Sequence, residues 1–88
     1  MAEGYEVVVK VISQKGTCAA GHKVGDQWVL GDKTVEGICL SAFNSLSPDL
    51  RVLEFSGTLP WESDPDTATV ACPDYENPVG FELRRLRK

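Results

Sequence analysis

The chain has 88 residues, 42% of them hydrophobic and 25% charged, a balance that fits one small globular domain and excludes a disordered chain or a second domain. Its formal charge of −4 is uneven, because "RRLRK" at the C-terminus carries four of the nine basic residues and leaves five against thirteen acidic side chains elsewhere. A body of that sign repels phosphate backbones, which argues against nucleic-acid binding, and no apolar run approaches the roughly 20 residues that span a bilayer.

The N-terminal stretch "MAEGYEVVVKVIS" lacks the basic front and unbroken apolar centre of a secretory signal, so the expected location is the cytoplasm. Three cysteines at wide spacings suit reduced thiols there better than a disulfide framework. Within residues 5–13 the β-branched run places Tyr5, Val7, Val9 and Val11 on one face and predicts a strand. "KVGDQWVLGDK" follows, with a Gly-Asp pair on either side of Trp28, Val29 and Leu30, and reads as turn, short strand, turn.

From Thr34 the period changes. Ile38, Cys39, Ala42, Phe43 and Leu46 form an apolar stripe at helical spacing, which predicts a helix over 37–46. Ser47, Pro48 and Asp49 then resemble an N-cap, a first helical position and a first-turn acid, while Leu50, Val52, Leu53 and Phe55 suit either a short helix or a strand; a second short helix is the preferred expectation. Residues 56–67, with two prolines, a glycine and three acids, read as a surface loop anchored by Leu59 and Trp61. "TATVAC" reads as a strand, "PDYENP" as a turn and "VGFELRRL" as a last strand with Val79, Phe81 and Leu83 on one face. The fold class is therefore α+β: a small antiparallel sheet of about four strands, with one main helix and a second short one packed on one face, in a single domain over 1–88. In this arrangement Glu3 and Glu6 are expected to lie across from Arg84 and Arg85.

Taken together, "GHKVGDQW", "EGICLSAFNSLSPDL", "LPWESDPDT" and "ACPDYENPVGFEL" resemble a family of small bacterial and archaeal proteins of about this length. Its members share a Cys before a G-H-x-V-G-D-like turn, a G-x-C-x-x-A helix start, a P-W-x-x-D-x-D loop and a C-P-D…P-V-x-F ending. The resemblance covers residues 5–86 and implies a cytoplasmic domain of unknown function; it supplies no catalytic residues. Cys18, Cys39 and Cys72 all fall at its cysteine-bearing motifs.

Those three cysteines and His22, the chain's one histidine, are the first chemical candidates, since thiolates and an imidazole are the ligands of tetrahedral zinc or iron sites. Only Cys18 and His22 are close in sequence, so a shared shell requires Cys39 and Cys72 to arrive at the same end of the sheet. Against this stands the tendency of free cysteine simply to fill a core, strongest for Cys39 on the helical stripe. A reactive thiol would favour Cys39, whose place at the helix start stabilises a thiolate. Glu62, Asp64 and Asp66 alternate in "WESDPDT" but lack the full ligand order of a calcium loop, and no phosphate-cradling glycine motif is present. Leu59, Pro60 and Trp61 are the place to look for a recognition surface.

The expectation is a small non-enzymatic binding or accessory module, monomeric or dimeric, serving a protein partner or small ligand and neither nucleic acid nor membrane. The alternative is a metal-binding (Zn or Fe) or redox-active thiol protein built on Cys18, His22, Cys39 and Cys72.

Overall fold

The computed structural model describes residues 4–87. Its elements are β1 (Val7–Gln14), β2 (Gln27–Leu30), α1 (Leu40–Glu54), β3 (Thr67–Ala71) and β4 (Val79–Arg85). The four strands form one antiparallel sheet in the order β2-β1-β4-β3 with α1 on one face, so the α+β class expected from the sequence is the one found.

Alternation decides what the helix covers. Val7, Val9 and Val11 on β1, Ala68 on β3 and Val79, Phe81 and Leu83 on β4 are buried against it, and the register sets Val9 beside Leu83 and Val11 beside Phe81. At roughly 1.5–3 kcal/mol for each large side chain, this face is the main source of stability. β1 slips register between Val11 and Ser13, and there the Asp26 carbonyl accepts the Val11 N–H while Gly25 N–H donates to Val11 O. Gly25 sits at φ 98°, a conformation that costs glycine nothing.

Two helical expectations are corrected. α1 begins at Leu40, because Gly37 has φ 95° and Cys39, still extended at φ −61° and ψ 134°, is the N-cap. No second helix starts at Ser47: α1 runs on through Pro48 to Glu54. Proline in a helix interior removes the hydrogen bond to the residue four back, here Asn44, and costs about 3 kcal/mol. Ala42, Leu46, Leu50 and Leu53 are all buried at four-four-three spacing. Burial of the three leucines contributes roughly 4–9 kcal/mol together, and Asn44, whose carbonyl loses that bond, is an exposed residue. Continuity of the stripe outweighs the proline.

The pairing expected for the basic end also differs. Arg84 meets Asp64 at 3.0 Å, while Arg85 and Arg87 both meet Asp66 at 2.8 Å. Glu6 instead accepts the Leu86 N–H through its backbone carbonyl, and Glu3 lies outside the described residues. β4 explains the choice. Arg85 follows Val79, Phe81 and Leu83 on the inward face, so its side chain, 1% exposed, turns under the sheet end toward the loop after α1. Among the described residues no helix is long and apolar enough to cross a membrane.

Candidate functional site

A cavity of about 330 Å³ lies where the loop between β1 and β2, the start of α1 and the turn between β3 and β4 meet. Cys18, His22, Cys39 and Cys72 all line it, although 54 positions separate the first from the last. Ala42, Val79 and Phe81 supply further apolar wall, and Asp74 and Asn77 add polar groups. Its size falls in the range of small-molecule pockets, at roughly 300–1,000 Å³. A second hollow of about 100 Å³, between the loop after β2 and α1, falls well below that range.

The β1–β2 loop is held in place from a distance. Asn77 Oδ1 accepts the Thr17 N–H at 3.0 Å, the Pro78 carbonyl accepts the Lys15 N–H at 3.0 Å, and Asp74 in turn accepts from the backbone of Glu76 and Asn77. Gly21, at φ 80°, closes a turn onto the Cys18 carbonyl and directs His22 inward. The imidazole is 5% exposed and stands edge-on to Trp28 at 5.0 Å and to Phe81 at 6.3 Å.

His22 Nε2 accepts the Cys39 N–H at 3.0 Å. An accepting Nε2 places the ring proton on Nδ1, so the imidazole is neutral and its basic nitrogen is already used. This bond also answers one of the N–H groups that a helix start leaves without partners, since the Cys39 side chain makes no cap of its own. Cys72 is employed as well: its Sγ accepts the Val79 N–H at 3.2 Å while its N–H donates to Val79 O at 2.9 Å, closing the β3–β4 hairpin. All three cysteines are free and half-buried.

The four residues are thus neighbours of one cavity without forming a metal shell. Among the described residues no group of three or more His, Cys, Asp or Glu side chains is placed to hold a metal ion. The acidic loop is likewise committed to the protein. Glu62 Oε2 accepts the Thr69 N–H, Asp64 accepts the Asp66 N–H and pairs with Arg84, and Asp66 pairs with Arg85 and Arg87. The Asp66 N–H and Arg84 hold the Asp64 carboxyl below its ordinary range, and Arg87 and Arg85 do the same for Asp66.

Leu59 is buried in the core at 8% exposure, whereas Pro60 is exposed and Trp61 is 70% exposed. The three therefore do not share a surface, and none of them lines the cavity. Sequence reasoning missed Asn77, which pins the far loop, and Arg85. The alternation of Val79, Phe81 and Leu83 did carry a signal for Arg85, since its next inward position is 85.

No family model, curated protein or solved structure matches this chain. The motif resemblance accordingly adds no activity to what the cavity's own chemistry supports.

Proposed function

We propose that the chain is a small, non-enzymatic binding module of the cytoplasm, and that the cavity at the start of α1 holds a small, mainly apolar ligand. One observation carries the reading: three loops or element ends, tied together by Asn77 and His22, wall a cavity of about 330 Å³ whose surface is largely alanine, cysteine, valine and phenylalanine. The preference for binding over catalysis rests on His22, whose basic nitrogen serves the Cys39 N–H and is not offered to a substrate. Three unpaired thiols suit a reducing compartment.

Screening a library of small aromatic and aliphatic compounds by amide chemical shifts tests this reading. Ligands are expected to shift Cys18, Cys39, Cys72 and Phe81 together and to slow alkylation of the cavity thiols. If every compound that binds instead moves residues around Trp61 and leaves the cavity signals still, the proposal fails.

A further inference from the structure

All three cysteines of the chain border the same cavity, each from a different segment: Cys18 from the β1–β2 loop, Cys39 from the start of α1 and Cys72 from just past β3. Among the described residues no three metal-ligating side chains converge, so the chemistry open to these thiols is that of a pair. The ties of the β1–β2 loop select the pair. Gln14, the last residue of β1, is the sheet partner of Val79, and Val79 faces Cys72 across the β3–β4 hairpin. Beyond Gln14 the chain stays on that hairpin. Lys15 N–H donates to Pro78 O and Thr17 N–H donates to Asn77 Oδ1, both at 3.0 Å, and Gly16 lies against Asn77 with no room for a Cβ. Cys18 is the next residue. Among the described residues its sulfur has no hydrogen-bond partner, and Gly16 and Gly21, at φ 71° and 80°, bracket it with backbone that turns at little cost. The Cys72 sulfur is positioned by the Val79 N–H, a weak bond at 3.2 Å. Cys39 stands apart from this unit: His22 Nε2 holds its N–H and its carbonyl accepts the Phe43 N–H at 2.9 Å, so its backbone cannot move toward another thiol without undoing the start of α1.

We infer that Cys18 and Cys72 are a redox pair, joined by a disulfide when a peroxide-class oxidant is present, and that the bridge closes the cavity. A sphere of about 330 Å³ is roughly 9 Å across, against ~6 Å between the Cα atoms of a disulfide, so a shift of a few ångströms in the glycine-bounded loop is enough. Ala19 and Ala20 follow Cys18 and line the same cavity, so bridging draws that wall inward. Peroxide first oxidises Cys18: its O–O bond breaks, one oxygen stays on sulfur as a sulfenic acid and the other leaves as water. The Cys72 sulfur then attacks the Cys18 sulfur, the S–O bond breaks, and hydroxide leaves with the Cys72 proton as a second water. Two electrons thus pass from two thiols to one peroxide, and a dithiol reductant reverses the step by exchange. In a reducing compartment such a bridge is transient, which suits a sensor. The closing of the cavity to ligand rests on the binding role proposed above; the disulfide itself does not.

Trypsin places the cysteines in separate peptides, 16–23, 34–51 and 52–84, so the pairing can be read directly. Hydrogen peroxide added to the folded, reduced chain is expected to lower its titratable thiols from three to one, to remove about 2 Da, and to link peptides 16–23 and 52–84, all reversed by dithiothreitol. Cys39→Ser should still form the bridge, and Cys18→Ser and Cys72→Ser should not; the peptide map of the parent chain decides the pairing even if a variant fails to fold. A link that includes peptide 34–51, three thiols that survive peroxide, or added oxygen without a link overturns the pair. Indole serves as the apolar probe of the cavity: it is expected to shift the amides of Ala42, Val79 and Phe81 in the reduced chain and not in the bridged one. Shifts that persist after bridging overturn the closing of the cavity and leave the disulfide in place. If indole leaves the reduced chain unmoved, the binding role and its gating fall together, and the disulfide stands or falls on the peptide map alone.

Discussion

Replacing Arg85 by lysine keeps the charge and removes the fork, and the structure sets the size of the effect. Arg85 Nε and one terminal nitrogen both reach Asp66 Oδ1, at 3.0 and 2.8 Å. The terminal nitrogens also donate to three carbonyls: Leu53 at 3.1 Å, Gly57 at 2.9 Å and Pro65 at 2.9 Å. All five guanidinium N–H groups are thereby used, and they join the end of α1, the turn after it and the loop that leads into β3. Lysine has three donors on one atom and cannot span these acceptors, so at least two carbonyl bonds from a charged donor are lost, at roughly 1.5–3 kcal/mol each. Water reaches Gly57 and Pro65 more readily than Leu53, which lowers the expected net loss to about 3 kcal/mol. A chain of this length has a total stability of about 4–13 kcal/mol, so Arg85→Lys should remain folded but weakened. Followed by Trp fluorescence, its urea midpoint should fall by about 2 M at an unchanged slope. Arg84→Lys, whose ion pair with Asp64 is about half exposed on both sides, is the control and should move the midpoint little. If Arg85→Lys lowers the midpoint no more than Arg84→Lys does, the network does not hold the helix end.

Pro48→Ala restores the missing helix bond at the cost of a freer unfolded chain, and is expected to stabilise by about 2 kcal/mol, raising the melting temperature by roughly 10 °C. Ser56, at φ 70° just past α1, holds a left-handed conformation, so Ser56→Gly should stabilise by about 0.5–1 kcal/mol in urea titration. Asp64 and Asp66 have folded pKa values below their unfolded ones; their stabilisation is present above the unfolded carboxylate pKa, near 3.9, and is lost as pH falls through the lower folded values. Asp66→Asn should flatten that acid limb in a pH series of urea midpoints. Burial, and then the charge of Glu62, raise Asp49, so its contribution has the opposite sign and fades as pH rises through the raised value; Asp49→Asn should stabilise the chain at neutral pH and leave it unchanged below pH 3.

β1 and β4 were legible because each carries a period of two that burial repeats, as in Val7, Val9 and Val11 and in Val79, Phe81 and Leu83. α1 was legible only in part. A rule that lets proline start a helix placed the boundary at Ser47, and local chemistry there does favour one. The rule lost to a tertiary effect: Leu46 and Leu50 sit one turn apart on either side of Pro48, and both are needed to cover the sheet. The basic tail was misread for a related reason. Charge suggested the nearest glutamates, whereas strand alternation sends Arg85 inward, and only the fold brings the carbonyls of residues 53, 57 and 65 to meet it.

The site was legible as a list of residues and not as a chemistry. Cysteines and a histidine brought to one end of a sheet satisfy the sequence requirement for a metal centre, yet coordination depends on which lone pairs remain free. Here the fold has already used those of His22 Nε2 and drawn Cys72 Sγ into the hairpin. That use has its own consequence. Because Nε2 accepts from the N-cap of α1, the ring is fixed as the tautomer that carries its proton on Nδ1. Replacing His22 with phenylalanine separates ring packing from hydrogen bonding, since the aromatic packing on Trp28 and Phe81 is kept while the acceptor for the Cys39 N–H is lost. Leaving the half-buried Cys39 N–H without its partner should cost about 1–3 kcal/mol in urea titration. A variant as stable as the parent would show that the bond does not anchor the helix, and the fixed tautomer would lose its structural basis.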